Sequence, residues 1–298
     1  MILGGVEAGG TKFICLAGDG EGRILAEWRI ATRGPRETLG DAVAALRRAT
    51  LETGPFDAIG VGAFGPLDLR PGAGHGRLLT TPKPGWSGTD LVGPLREAFG
   101  VPVAIDTDVT AAALAEGRWG AARGLRDFAY MTVGTGIGVG VIAGGRPIHG
   151  LVHPELGHVH VPRAPGDGFP GVCPFHADCL EGMASGPAIA ARWGAPGEQL
   201  HATLLERAVD IEAFYLASGI RTLVYAVAPE RIVIGGGVAA LPGLLPRVRA
   251  HLGTALGGYP GLAEHSGDAF IQAAALGPLA GPRGTLALAE AALEAAGA

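Results

Sequence analysis

Residues 2–17 read Ile2-Leu3-Gly4-Gly5-Val6-Glu7-Ala8-Gly9-Gly10-Thr11-Lys12-Phe13-Ile14-Cys15-Leu16-Ala17. The apolar segments 2–6 and 13–17 predict two buried strands, joined by the glycine turn between them. Glycine lets backbone N–H groups approach an anion closely, and the hydroxyl of Thr11 and the cation of Lys12 suit a phosphate group. The opening of the chain therefore predicts a strand–turn–strand unit that binds phosphate.

The same unit recurs about one domain length later. Residues 128–133 and 139–143 are apolar, and the turn between them reads Gly134-Thr135-Gly136-Ile137-Gly138. Two copies predict two similar α/β domains that face each other across a cleft. A third glycine turn, Gly235-Gly236-Gly237, follows an apolar strand at 231–234.

The rest of the pattern alternates strands and helices, as in an α/β fold. Strands are predicted at 24–30, 58–64 and 101–105, and helices at 37–51, 90–99, 111–119, 244–256 and 285–296. We place the domain boundary near 117–124. This gives an N-terminal domain of residues 1–118 and a C-terminal domain of residues 119–298, with the last helix packing on the first domain.

Composition excludes several classes of protein. A net charge of −5 argues against nucleic acid or an anionic membrane as the main partner. No run approaches 18 apolar residues and no signal peptide is evident, so we expect a cytoplasmic protein. Three cysteines are too few for a disulfide framework.

Asp108 follows a predicted strand and precedes a helix, which places its carboxylate where α/β proteins bind ligands. A carboxylate there can take the proton of a hydroxyl that attacks phosphorus. The alternative role is that of a helix N-cap. Asp106 is predicted to point to the opposite face of the strand.

A short segment carries a metal-binding pattern, Cys173-Pro174-Phe175-His176-Ala177-Asp178-Cys179. Cys-x₂-His-x₂-Cys supplies three ligands of the kind that tetrahedral zinc prefers. His158 is the nearest candidate for the fourth ligand, with His153 and His160 as rivals. Four protein ligands would make such a zinc ion structural.

With these residues assembled, the chain resembles the ROK family of sugar kinases, and within it the bacterial fructokinase branch, over nearly its whole length. The motifs that carry the resemblance are Gly5–Lys12, Gly62–Pro66, Thr81–Trp86, Asp106–Val109, Thr132–Gly138, His149-Gly150, His153–His158, Cys173–Pro187 and Gly235–Val238. Jointly they are specific, although none would be alone.

The resemblance implies an actin-like ATPase fold of two ribonuclease-H-like domains, with ATP, Mg²⁺ and Zn²⁺ as cofactors. It implies that the β- and γ-phosphates are held by Gly9, Gly10, Thr11 and Lys12. It implies a second phosphate loop of Gly134, Thr135, Gly136 and Gly138, and an adenosine border of Gly235, Gly236 and Gly237. It also implies that Asp108 is the catalytic base. The implied sugar contacts are Gly65, Pro66, Asp108, Glu155, His158 and Glu181, and the implied zinc ligands are His158, Cys173, His176 and Cys179.

Two positions depart from the common family pattern. Glu7 stands where many members have Asp, which we interpret as a mark of the fructokinase branch. Thr110 stands where, in the family that the chain resembles, an Asn usually follows the catalytic Asp, so the hydrogen bond that this Asn would make near the sugar is not expected here.

The expected activity is ATP-dependent conversion of D-fructose to fructose 6-phosphate, by a protein that forms a homodimer. Glucokinase or mannokinase activity is the alternative within the family, because a few hydroxyl contacts decide sugar preference. A catalytically silent sugar-binding protein is a second alternative. A sugar-responsive repressor is not expected, since Gly9 follows Met1 too closely for a preceding helix-turn-helix module.

Overall fold

The computed structural model describes residues 1–297 of this 298-residue chain and has a mixed α/β fold. Its strands are β1 (Ile2–Ala8), β2 (Lys12–Asp19), β3 (Ile24–Ala31), β4 (Ala58–Ala63), β5 (Leu67–Asp68), β6 (Arg77–Leu78), β7 (Val103–Thr107), β8 (Phe128–Val133), β9 (Ile137–Ala143), β10 (Arg146–Pro147), β11 (Arg231–Gly235) and β12 (Ile271–Ala273). Its α-helices are α1 (Pro35–Thr53), α2 (Gly93–Phe99), α3 (Asp108–Trp119), α4 (Leu180–Ala184), α5 (Gly186–Trp193), α6 (Ala202–Val227), α7 (Leu244–Leu256) and α8 (Ala280–Gly297).

Two five-stranded sheets have the same topology. The first has the order β3-β2-β1-β4-β7 and the second has the order β10-β9-β8-β11-β12. In each sheet the central strand, β1 or β8, pairs antiparallel with the strand after its glycine turn and parallel with the strand on its other side. The repeat predicted from the two glycine turns is therefore a repeat of whole sheets.

Contacts divide the chain into two units. The first contains Met1–Arg123, Pro147–Pro154 and the chain from Pro278 onward. The second contains Gly124–Arg146 and Glu155–Gly277. The first unit contains the sheet β3-β2-β1-β4-β7 and also receives the helix α8 and the 147–154 segment, and the second contains β8, β9, β11 and β12.

In the first unit, successive side chains along each strand point to opposite faces of the sheet, so they pack into two different hydrophobic cores. Val6 and Phe13 pack with Leu46 of α1 on one face. On the other face Leu3 and Leu16 pack with Leu286 of α8.

Helix α8 approaches its neighbours almost backbone to backbone. A Cβ atom added at Gly60 of β4 would lie 1.9 Å from the carbonyl oxygen of Thr285. A Cβ atom added at Gly284 would lie 2.1 Å from the carbonyl oxygen of Ala111 in α3. Only glycine permits both approaches, so these residues fix α8 against β4 and α3.

Several element boundaries differ from the predicted ones for local reasons. The helix expected over 90–99 begins at Gly93, because the carboxylate of Asp90 accepts the N–H groups of Val92 and Gly93 and forms a turn first. The helix expected from Ala111 begins at Asp108, because the side chain of Thr107 caps it. Helix α6 and strand β12 were not predicted at all.

None of the helices in residues 1–297 is long and apolar enough to span a bilayer.

The second unit buries one carboxylate without a hydrogen bond. Glu212 of α6 is fully buried, and neither of its carboxylate oxygens has a hydrogen-bond partner among the described residues. Burial raises the pKa of Glu212 well above its ordinary 4.5, against a weaker lowering by the charge of Arg192. The folded protein therefore keeps this proton to a higher pH than the unfolded chain does.

Replacing Glu212 by Met should stabilise the protein. Because the folded-state pKa is raised, the stability linked to this group is complete below about pH 4.5 and is lost as the pH rises toward the folded value. Glu212→Met should therefore raise the melting temperature more at pH 8 than at pH 5, as measured by thermal unfolding. Glu206→Met, at an exposed position of the same helix, is the control. An equal shift at both pH values would contradict the prediction.

Candidate active site and metal cluster

The first glycine turn joins β1 to β2 and is closed by its own backbone. The N–H of Gly9 donates to the carbonyl of Lys12 at 3.0 Å, and the hydroxyl of Thr32 donates to the carbonyl of Gly9 at 2.8 Å. Gly10, Thr11 and Lys12 are exposed. A turn that is fixed at its base and exposed at its tip is suited to bind an anion.

Asp108 is the first residue of α3 and lies half-buried at the end of β7. Burial raises the pKa of its carboxyl group to about 6, although the N–H of Val109 donates to it at 2.9 Å. The cap of α3 is Thr107, so the carboxylate of Asp108 is not needed as the N-cap. A group with this pKa is mainly ionised at neutral pH and retains basicity, as a general base requires.

Glu7 is a second half-buried carboxylate of the first unit. Burial, and after it the negative charge of Asp108, together raise its pKa to about 7. The side chain packs against α8, where a Cβ atom at Gly281 would lie 2.0 Å from its Oε1. Such a carboxylate is one that a nearby cation would stabilise in its charged form.

The 147–154 segment contributes two histidines: His149, to which the sequence assigned no role, and His153, which it offered only as a rival zinc ligand. His149 Nε2 lies 3.0 Å from the Oδ2 of buried Asp106, and this contact raises the pKa of His149. His153 Nε2 accepts the N–H of Leu67 at 3.0 Å, and its ring would lie 3.3 Å from a Cβ atom at Gly65. The motifs containing both histidines were visible in the sequence, but their partners were not.

Thr110 is buried, and both its backbone N–H and its hydroxyl form hydrogen bonds with Thr107, the residue that caps α3. Its N–H donates to the Oγ1 of Thr107 at 3.1 Å, and its hydroxyl accepts a hydrogen bond from the same atom at 2.8 Å. Thr110 therefore completes the N-terminus of α3.

The second unit contains a pocket of about 690 Å³, which falls in the size range of small-molecule and cofactor sites. Gly134 and Thr135 of the second glycine turn and Gly237 of the third are among its lining residues. The remaining lining residues are Gly186, Pro187, Ala190, Pro196, Gly197, Glu198, Val238 and Leu241. The sequence did not predict these eight residues as part of a site, because they come from several separate segments of the chain.

The other glycines of these turns are not among the residues that line the pocket. Gly136 leaves room for Glu181, whose Oε2 would lie 2.6 Å from a Cβ atom there and accepts the N–H of Ile137 at 3.0 Å. Gly138 lies within β9. Gly235 ends β11, and Gly236 has a φ of 91° and packs against the backbone of Val133.

A cluster of four side chains in the second unit has the chemistry of a zinc site. The nearest ligand atoms of His158, Cys173, His176 and Cys179 all lie within 4.8 Å of one another. His158 Nδ1 lies 3.7 Å from the Sγ of Cys173 and 3.5 Å from the Sγ of Cys179. Tetrahedral zinc with bonds of about 2.3 Å to sulfur and about 2.05 Å to nitrogen would separate these atoms by about 3.6 Å.

The rival histidines are used elsewhere or lie outside the cluster. His153 binds the N–H of Leu67, and His160 is exposed and is not among the four clustered residues. Glu155 is exposed, and its carbonyl accepts the N–H of His158 at 3.0 Å. The geometry thus fits zinc with His158 as the fourth ligand.

The ROK family profile matches residues 3–292. The chain belongs to the ROK family.

Relatives and solved structures agree with this membership over nearly the whole length. A fructokinase from Zymomonas mobilis is 45% identical over 98% of this chain and 97% of its own. A fructokinase from Pediococcus pentosaceus is 40% identical over 99% of both chains. The crystal structure of a ROK hexokinase from Thermus thermophilus superimposes with a TM-score of 0.81 at 32% identity, covering 99% of this chain and 100% of the other.

Substituting one cluster residue should release zinc. Cys179→Ser replaces a soft thiolate by a weaker hydroxyl ligand, so we expect bound zinc, measured by elemental analysis of the pure protein, to fall to a small fraction of the wild-type content. Cys15→Ser is the matched control, because Cys15 is buried in the first unit, outside the cluster. Retention of full zinc content by Cys179→Ser would refute the ligand assignment.

Proposed function

We propose that this protein is an ATP-dependent fructokinase that converts D-fructose to fructose 6-phosphate. Membership of the ROK family and the names of its full-length relatives support a sugar kinase that acts on fructose. The observation that carries the mechanism is the desolvated carboxylate of Asp108 at the end of β7.

In this mechanism Asp108 takes the proton of the sugar hydroxyl while the oxygen attacks the γ-phosphorus in line. A pKa of about 6 keeps the carboxylate ionised at neutral pH and close enough to that pH for proton transfer. The proposed sugar contacts are Gly65, Pro66, Asp108, Glu155, His158 and Glu181.

The proposed nucleotide contacts come from three glycine turns. Gly9, Gly10, Thr11 and Lys12 would hold the terminal phosphates at an exposed turn with a fixed base. The pocket lined by Gly134, Thr135 and Gly237 would hold the nucleoside, and its volume suits one. Gly136, Gly138, Gly235 and Gly236 would act by shaping these turns.

Magnesium and zinc have separate proposed roles. Mg²⁺ bound to the phosphates would offset their developing charge, and Glu7 is the desolvated carboxylate of the first unit that suits such a cation. Zinc would fix the segment from His158 to Cys179 and thereby orient Glu155 and Glu181, which flank its ligands in sequence. A cytoplasmic location and a homodimer stay predictions.

The rate should depend on the ionisation of Asp108. Because the base acts in its charged form, kcat/KM should fall about tenfold per pH unit below about pH 6. Product formation followed directly by ³¹P NMR would test this without coupling enzymes. A profile that is flat down to pH 5, in protein that stays folded, would exclude this carboxylate as the base.

The decisive experiment combines substrate choice with removal of the base. Wild-type protein with MgATP should phosphorylate fructose in preference to glucose, mannose and N-acetylhexosamines. Asp108→Asn should lower kcat by about 10²- to 10⁴-fold and leave fructose affinity, measured by calorimetry, within about threefold.

Asp268→Asn, at a highly exposed position, is the control and should retain wild-type turnover. Preference for another hexose would replace fructokinase by a different sugar kinase. No turnover with any sugar would favour a silent sugar-binding protein.

A further inference from the structure

The chain contains two lysines, and both lie at the first glycine turn. Of its 23 basic residues other than histidine, 21 are arginine, and the exceptions are Lys12 and Lys83. Lys12 follows the turn directly, and the Nζ of Lys83 donates a hydrogen bond to the carbonyl of Gly10. A chain that uses arginine almost everywhere else keeps its compact ammonium groups at one place.

Neither lysine is paired with a carboxylate in the part of the chain that the structure describes, although the charge of Lys12 partly offsets the rise in the pKa of Glu7. Among residues 1–297 no carboxylate forms an ion pair with Lys12 or Lys83, whereas arginines such as Arg23, Arg70 and Arg118 do form such pairs. An ammonium group carries three donors, and the single bond described for the Nζ of Lys83 is the one to Gly10. Two donors of Lys83 therefore remain for a ligand at the turn.

The backbone of Lys83 is held in place by the residues around it. Trp86 is buried, and its Nε1 donates to the carbonyl of Arg33 at 3.0 Å. Its ring packs against those of Phe13 and Phe64 at centroid distances of 5.7 and 5.5 Å. Since Phe13 directly follows Lys12, the same indole ties the segment of Lys83 to the strand that leaves the glycine turn.

We propose that Lys83 is a second phosphate-binding residue, whose ammonium group binds the terminal phosphate of the nucleotide together with Lys12. The proposal rests on the kinase function proposed above and adds a contact to it. Lysine suits this role as a compact point charge that can approach phosphate oxygens over a glycine turn, where the bulkier guanidinium of arginine fits less well. The bond to Gly10 holds the ammonium group at the turn.

Kinetics distinguish this role from one of merely supporting the turn. Lys83→Met should lower kcat by about 10²-fold or more, the usual effect of removing one charge-stabilising donor, while the KM for fructose changes less than about threefold. Lys83→Arg should recover part of the loss. Arg36→Met removes a charge from an exposed position of the same unit and is the control. Unchanged kcat in Lys83→Met would overturn the proposal.

A binding measurement tests the contact without turnover. Reductive ¹³C-methylation keeps the lysine charges and gives NMR signals only from the two lysines and the α-amino group. The Lys83 signal, assigned as the one missing in Lys83→Arg, should shift on addition of Mg²⁺ and AMP-PNP. A shift of the Lys12 signal alone would overturn the proposal.

The two measurements separate this proposal from the kinase function. A wild-type protein that phosphorylates no sugar but shifts the Lys83 signal would refute the kinase and keep the phosphate contact. An active wild-type protein with an unshifted Lys83 signal would refute the contact and keep the kinase.

Discussion

The close approach of α8 to β4 and α3 is the constraint on which the first unit depends. At Gly60 and Gly284 the carbonyl groups of neighbouring elements occupy the positions where side chains would begin. Helix α3 starts at Asp108, so the packing that fixes this helix also fixes the carboxylate at its first residue. The position of Asp108 is thus fixed by close contacts of small residues, among them Gly60, Gly284 and Thr285.

Sequence reasoning found those parts of the fold that depend on local pattern. The strands around Gly9 and Gly134 and the helix over Leu244–Leu256 were predicted closely, because apolar runs end at glycine turns. Helix α6 was missed, because the second half of its 26 residues is buried on most sides and shows little helical periodicity. The start of α2 was predicted at Asp90 instead of Gly93, because helix propensity takes no account of the hydrogen bonds that the Asp90 carboxylate accepts.

The candidate sites likewise contain some features that the sequence predicts and others that only the fold reveals. The spacing of Cys173, His176 and Cys179 indicates a zinc site by itself, because those ligands are close in sequence. His158 was already the first choice for the fourth ligand from the sequence, and the fold supports it over His153, whose Nε2 accepts the N–H of Leu67. The contact of Lys83 with Gly10 joins residues 73 positions apart, and a single sequence contains no signal for it.

The scarcity of lysine gives this protein an unusual chemical surface. Reagents that attack primary amines, such as activated esters, reducing sugars and acetyl donors, find two side chains to modify, and both border the first glycine turn. In most proteins such reagents spread over many harmless surface positions before they reach a functional one. Here every acylated side chain would lie at the first glycine turn, so attachment of this protein to a support through its lysine side chains would join it to the support at that turn.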